Sequence, residues 1–266
     1  MQRRQAAKTK KLSSGALKSY VVGRLLRGWS PETISGRLKE ASSQVKVSPE
    51  TIYQFIYSRE NKKARYWEFL HRGHNRRQAP HDRKSQTSGQ LSIPNRVNIA
   101  LRPEEANLRA SVGHLESDLM EGSRHGGGAV SVTVDRRSRL VMLDKLPSKA
   151  SEERIQALIK RLGKNPPTLR KTLTFDNGTE NYNHEQLMEE LSCQTYFCNP
   201  YHPWEKGTVE NTVGLIRCWI PKGTNLTTIT QEDLNYITEE LNHRPRKILG
   251  FKTPSEVVLE ETNWGT

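Results

Sequence analysis

The chain has 266 residues, a formal net charge of +13 and a mean hydropathy of −0.78. That length suits one catalytic domain with one small module. No run approaches the roughly 18–20 apolar residues of a bilayer-crossing helix, and Cys193, Cys198 and Cys218 make neither an even set nor paired motifs, so a membrane partner and a disulfide scaffold are excluded from the expectation.

No secretory leader is read in the opening residues, so a reducing, cytoplasmic setting is expected. Residues 1–110 hold 23 Lys and Arg against 8 Asp and Glu, a net +15, while the remainder holds 19 against 21, a net −2. A basic segment joined to a near-neutral one is the footprint of a polyanion binder, because Lys and Arg displace counterions condensed on phosphates. Nucleic acid is the expected partner.

In chain order, Ala16 to Arg27 places Leu17, Val21 and Leu25 on one stripe and predicts a first helix. Ser30-Pro31-Glu32-Thr33-Ile34 predicts the start of a second, with Ser30 as N-cap and Pro31 in the first turn. The same string recurs at Ser48-Pro49-Glu50-Thr51-Ile52 and predicts a third. Three short helices in a basic segment suggest a helix-turn-helix module over residues 1–58, with Thr51, Gln54 and Arg59 as candidate DNA contacts on the third helix. From 59 to 110 apolar residues thin out, and Arg76 and Arg77 sit in what reads as a basic linker or arm tracking phosphates.

The pattern changes at Ser111. Val112 to Met120, Gly128 to Val134 and Leu140 to Leu146 predict three antiparallel strands. A helix at Ser151 to Leu162, a strand at Arg170 to Phe175, a helix at Asn183 to Leu191, a strand at Gln194 to Cys198 and helices at Trp204 to Trp219 and Thr230 to Leu241 follow. That order is an α/β domain over 111–266 of ribonuclease-H-like type, a mixed sheet with helices on both faces, preceded by the small all-α module. His184, Cys193, Cys198 and His202 are too loosely spaced for a zinc site to be expected.

Metal-assisted phosphoryl chemistry needs carboxylates from separate elements that converge on one point. Asp118 lies inside the first predicted strand and shares a face with Glu116, and a carboxylate there is costly unless paired or metal-bound. Asp176 follows the strand Leu173-Thr174-Phe175 and precedes the turn Asn177-Gly178. Glu210, with 33 residues between it and Asp176, can close a triad from a helix. Glu205 competes for that role, but a position in the first turn after Pro203, where free amides favour a carboxylate, already accounts for it. Glu210 also has Gly207 and Gly214 on its face, which predicts a close approach of helix to sheet.

Gly113 to Leu119, Thr174 to Gly178 and Pro200-Tyr201-His202-Pro203-Trp204-Glu205-Lys206-Gly207-Thr208-Val209-Glu210-Asn211 resemble the three acidic blocks of insertion-sequence-30 family transposases. The resemblance continues through Ile220 to Thr224, Leu241 to Lys247 and Thr253-Pro254, and upstream through Trp29 to Glu32 and Glu50 to Tyr53. It implies a DDE recombinase in which Asp118, Asp176 and Glu210 hold two Mg²⁺ ions, for which Mn²⁺ substitutes. The implied partners are double-stranded DNA, both terminal inverted repeats and target, and a homo-oligomer assembled on it. Lys206, Asn211 and Arg217 flank Glu210 as candidate phosphate contacts.

The chain departs from the family at Leu115, Ser117 and Asn181, where Trp, Gly and an aromatic are usual. Family members also usually begin with a further helix-turn-helix unit, which this chain is expected to lack. The alternative is therefore a truncated copy that binds DNA without catalysis, and metal-dependent nicking separates the two.

Overall fold

The computed structural model describes residue 12 and residues 15–41, 46–70, 93–123, 127–200 and 202–263. They form two compact units, one from 1–85 with 244–253 and one from 86–243 with 254–266. Arg76 and Arg77 lie outside the described residues.

In the first unit, α1 (Ala16–Leu26), α2 (Pro31–Glu40) and α3 (Pro49–Ile56) appear where periodicity and caps place them. The repeated string closes the same N-cap twice: the Ser30 hydroxyl accepts from the Thr33 amide at 3.2 Å, and the Ser48 hydroxyl from the Thr51 amide at 3.2 Å. After α1 the chain reverses through Gly28 at φ +72, whose amide donates to Leu25 O while Trp29 N donates to Arg24 O. That pair of bonds is a Schellman closure, and its left-handed residue favours glycine. Val21, Leu25, Trp29, Ile34, Ile52, Phe55 and Ile56 make the core, against which Tyr66 and Trp67 pack.

The segment 244–253 belongs to the same unit. The Arg37 guanidinium donates to Phe251 O at 3.3 Å, and a Cβ on Gly36 would fall 2.2 Å from the Phe251 ring.

The second unit opens with a short helix, α4 (Glu104–Leu108), followed by a five-stranded sheet. Its strands are β1 (His114–Glu121), β2 (Ala129–Asp135), β3 (Val141–Leu146), β4 (Thr172–Phe175) and β5 (Gln194–Phe197), in the order β3-β2-β1-β4-β5. The first three form an antiparallel meander, and β4 and β5 run parallel to β1. The helices are α5 (Ser151–Leu162), α6 (Glu185–Leu191), α7 (Gly207–Ile216), α8 (Gln231–Asn242) and α9 (Pro254–Thr262).

Alternation along the strands sends side chains to two cores. Met120, Val130, Val132, Val134, Val141 and Leu143 pack with Val209 and Ile216 of α7 and with Leu234, Ile237 and Leu241 of α8. On the other face Leu115, Met142, Leu173, Phe175 and Phe197 meet α5 and α6. Helices thus cover both faces of a mixed sheet, the ribonuclease-H-like arrangement.

The helix expected from Trp204 to Trp219 is instead a 3₁₀ turn, Pro203–Lys206, followed by α7. Buried Glu116 explains the break. Its carboxylate accepts from the amides of Thr208 and Val209, each at 2.9 Å, and so pins the α-helical start beside β1.

Candidate active site

Asp118 lies on β1, on the face of Glu116 and Met120. In the β1–β4 ladder Glu116 stands opposite Thr174, so two residues further on Asp118 comes level with Asp176, just beyond β4. Two carboxylates from adjacent, interior, parallel strands therefore meet where β4 ends.

A cation lies between them. The Lys206 ammonium donates to Asp118 Oδ1 at 3.2 Å, to Asp176 Oδ2 at 3.1 Å and to Ser117 O at 3.4 Å. Lys206 is 5% exposed, whereas the side chains of Asp118 and Asp176 are 26% and 42% exposed. Burial would raise the Asp176 carboxyl, but Lys206 and then Arg154 outweigh it and hold the group below the usual carboxylate range. Burial likewise works against the Lys206 ammonium, yet Asp176 and Asp118 raise it above the ordinary lysine value.

Asp176 is further fixed by Asn181, whose amide donates to Oδ1 at 3.1 Å, and by the Gly178 amide at 3.4 Å. Arg154, from α5, is 0% exposed. Its guanidinium donates to Ser117 Oγ at 3.2 Å, lies 3.5 Å from Glu180 and stacks over Phe175. Lys206 and Arg154 thus bracket the acid pair.

Glu210 stands in the first turn of α7 and is exposed. Among the described residues no group of three or more His, Cys, Asp and Glu side chains converges to hold a metal. The structure brings Asp118 and Asp176 together on Lys206. Gly207 and Gly214 do not account for the packing of α7, because a Cβ on either would meet nothing within 4 Å. Thr208, Val209, Thr212 and Ile216 face inward instead. Glu205 binds the preceding loop, accepting from Asn199 N at 2.7 Å and Asn199 Nδ2 at 2.9 Å.

The remaining candidates scatter. Thr51 is buried, with its hydroxyl paired to Ser48 Oγ at 2.8 Å, which turns it away from any ligand. Gln54 is half-buried and donates to Glu50, while Arg59 and Asn211 are exposed. Arg217 donates to Glu121 O at 2.9 Å and to Pro221 O at 3.5 Å, holding backbone. His184 is engaged by Thr195 and Pro94 O.

Beside the acid pair is a cationic cleft that sequence reasoning missed. Arg102, Arg109, Arg136, Asn199, Glu205 and the 69%-exposed Trp204 line it, around buried Glu116. Arg136 pairs with Glu116, while Arg139 donates to Thr208 Oγ1 at 3.0 Å. Burial first, and then neighbouring arginines, lower Arg102 and Arg139 to about 10.

These features define the class: a ribonuclease-H-like domain with paired acids on its interior strands, where β4 ends. No protein-family model matches the chain. The transposase for insertion sequence element IS1086 of Cupriavidus metallidurans is 38% identical over 251 residues, covering 92% of this chain and 73% of that protein. Transposase InsI for insertion sequence element IS30A of Escherichia coli is 37% identical over 247 residues, 91% of this chain. The chain spans 64% of the length of that relative. Among solved structures, the catalytic core domain of BIV integrase gives a TM-score of 0.42 at 21% identity, covering 56% of this chain and 95% of that one. The chain belongs to the insertion-sequence-30 family of transposases.

Proposed function

We propose that this chain is a DNA transposase that cuts and joins strands with Asp118, Asp176 and Glu210 as its metal-holding acids. The observation that carries the reading is the convergence of Asp118 and Asp176 on one cation, with Lys206 Nζ 3.2 and 3.1 Å from their oxygens. Hard carboxylate oxygens at such a point suit Mg²⁺ or Mn²⁺. Two such ions supply activation of a hydroxyl nucleophile and stabilisation of the leaving oxygen.

The chain's own residues position and balance charge. Arg154, locked by Ser117, Glu180 and Phe175, is a fixed counter-charge that keeps Asp176 ionised. Asn181 and the Gly178 amide orient its carboxylate. Glu210, in the first turn of α7 and with 33 residues between it and Asp176, supplies the third acid. The cleft of Arg102, Arg109 and Arg136 takes backbone phosphates next to the reacting bond, with exposed Trp204 offering a face for a base.

Half-buried Gln54 on α3 and exposed Arg59 just beyond it make the first unit the reader of terminal inverted repeats, with the basic residues of 59–85 on flanking phosphates. Double-stranded DNA in the bacterial cytoplasm is the substrate, both as element ends and as target, and the active species is a homo-oligomer on it. No helix among the described residues is long and apolar enough to cross a membrane.

The experiment incubates the chain with duplex element ends and target DNA in Mg²⁺. Nicking at the end followed by joining to target is expected. Tight end binding with no nicking in Mg²⁺ or Mn²⁺ would make the chain a DNA-binding protein, and nicking without joining would make it a nuclease.

A further inference from the structure

A buried ammonium between two acids raises the question of how a metal ion reaches them. All three N–H bonds of Lys206 Nζ have acceptors: Asp118 Oδ1, Asp176 Oδ2 and Ser117 O. At 5% exposure this charge is tolerable only because it is paired on every side. Its place is the one a cation shared by the two carboxylates would take. An ammonium and a divalent ion cannot share it: Mg²⁺ needs its oxygens at about 2.0–2.1 Å, and at such range a second positive charge is strongly repelled.

The two flanking cations differ in their freedom to leave. Arg154 is a planar guanidinium held by Ser117, Glu180 and the face of Phe175. Lys206 is a point charge on a flexible four-carbon stem. Its backbone is anchored independently of its head, because Glu205 ties the preceding turn to Asn199 and Glu116 holds the amides of Thr208 and Val209 at the start of α7. The side chain can swing while the turn stays.

We propose that Lys206 is an exchangeable internal counter-ion, filling the position between Asp118 and Asp176 in the metal-free chain and leaving it when a divalent ion enters. The inference rests on those aspartates being metal ligands. Lysine in that position keeps the acid pair neutralised and folded without metal, at the cost of weaker metal affinity. Once displaced, its charge is freed beside the site for an incoming phosphate, so metal loading and DNA contact become linked.

The test is Mn²⁺ binding to the full chain without DNA, read by electron paramagnetic resonance of free Mn²⁺, for the wild type, Lys206→Met, Lys206→Gln and Asp176→Asn. The expected result is a Kd at least tenfold lower in the folded Lys206 variants, a larger rise in Tm on adding Mn²⁺ to them, and loss of binding in Asp176→Asn. Unchanged or weaker Mn²⁺ binding in the Lys206 variants would overturn the exchange while leaving the metal site standing. Mn²⁺ that binds neither wild type nor variants would remove the metal reading itself. Should both Lys206 variants fail to fold, amine acylation of the wild-type chain decides the matter: Mn²⁺ is expected to raise labelling of Lys206 several-fold, and unchanged or reduced labelling contradicts displacement.

Discussion

The carboxylate of Glu116, on β1, accepts a hydrogen bond from the backbone amide of Val209, on α7, at 2.9 Å. Through that bond, its twin from Thr208 and the ion pair to Arg136, one fully buried acid fixes the helix that carries Glu210. Replacing Glu116 with Leu leaves the Arg136 guanidinium, itself 6% exposed, without its counter-charge. A loss of about 3–5 kcal/mol is expected from urea unfolding, the usual cost of breaking one side of a buried pair. A loss below about 1 kcal/mol would show that the helix is positioned by other contacts.

Edge strand β3 is closed by side chains. The Asn242 amide accepts from Val141 N at 2.8 Å and donates to Val141 O at 2.9 Å, while Gln231 pairs with Lys145 N and Leu143 O. These bonds occupy backbone groups that would otherwise recruit another strand. Asn242→Ala is expected to cost about 1–3 kcal/mol in thermal or urea unfolding and to promote aggregation near the midpoint. An unchanged melt would contradict the role.

Thiol chemistry provides a check on the core. Cys193 is 0% and Cys198 is 6% exposed, and burial pushes both thiols up to about 12. Cys218 is exposed. Titration of the native chain with a disulfide reagent at neutral pH should release one equivalent rapidly and the other two only on unfolding. Fast reaction of all three would mean that β5 and the residues flanking it are open to solvent.

Much of this architecture is legible in residue order. Alternation in Glu116-Ser117-Asp118 and the break after Leu173-Thr174-Phe175 place one aspartate within a strand and the other at a strand's end, and the repeated Ser-Pro-Glu-Thr-Ile string marks two helix starts that occur as expected. Lys206 reads in the sequence only as a candidate phosphate contact and Arg154 as a solvated helix charge, because their burial against the acid pair comes from tertiary contact. The same holds for Thr51, which is buried and bonded to Ser48. The arginine cleft is assembled from residues far apart in sequence, and the return of 244–253 to the first unit carries no local signal.

The third acid is open to a paired comparison. Glu205 serves Asn199 through two hydrogen bonds, so Glu205→Gln should weaken the loop by about 1 kcal/mol and leave metal-dependent nicking measurable. Glu210→Gln should reduce nicking by at least about 10²-fold, the scale of losing one charge-stabilising group. An active Glu210→Gln chain, or an inactive but folded Glu205→Gln chain, would reassign the role.

The most direct measurement is Mg²⁺-dependent nicking of duplex element ends by wild type, Asp118→Asn and Asp176→Asn, with end binding measured on the same samples. Asp118 and Asp176 face one cation and lie apart from the basic first unit in sequence, so each variant is expected to lose nicking and joining while its affinity for the ends changes less than about threefold. Nicking that survives in either variant would contradict the assignment of this acid pair as the catalytic centre.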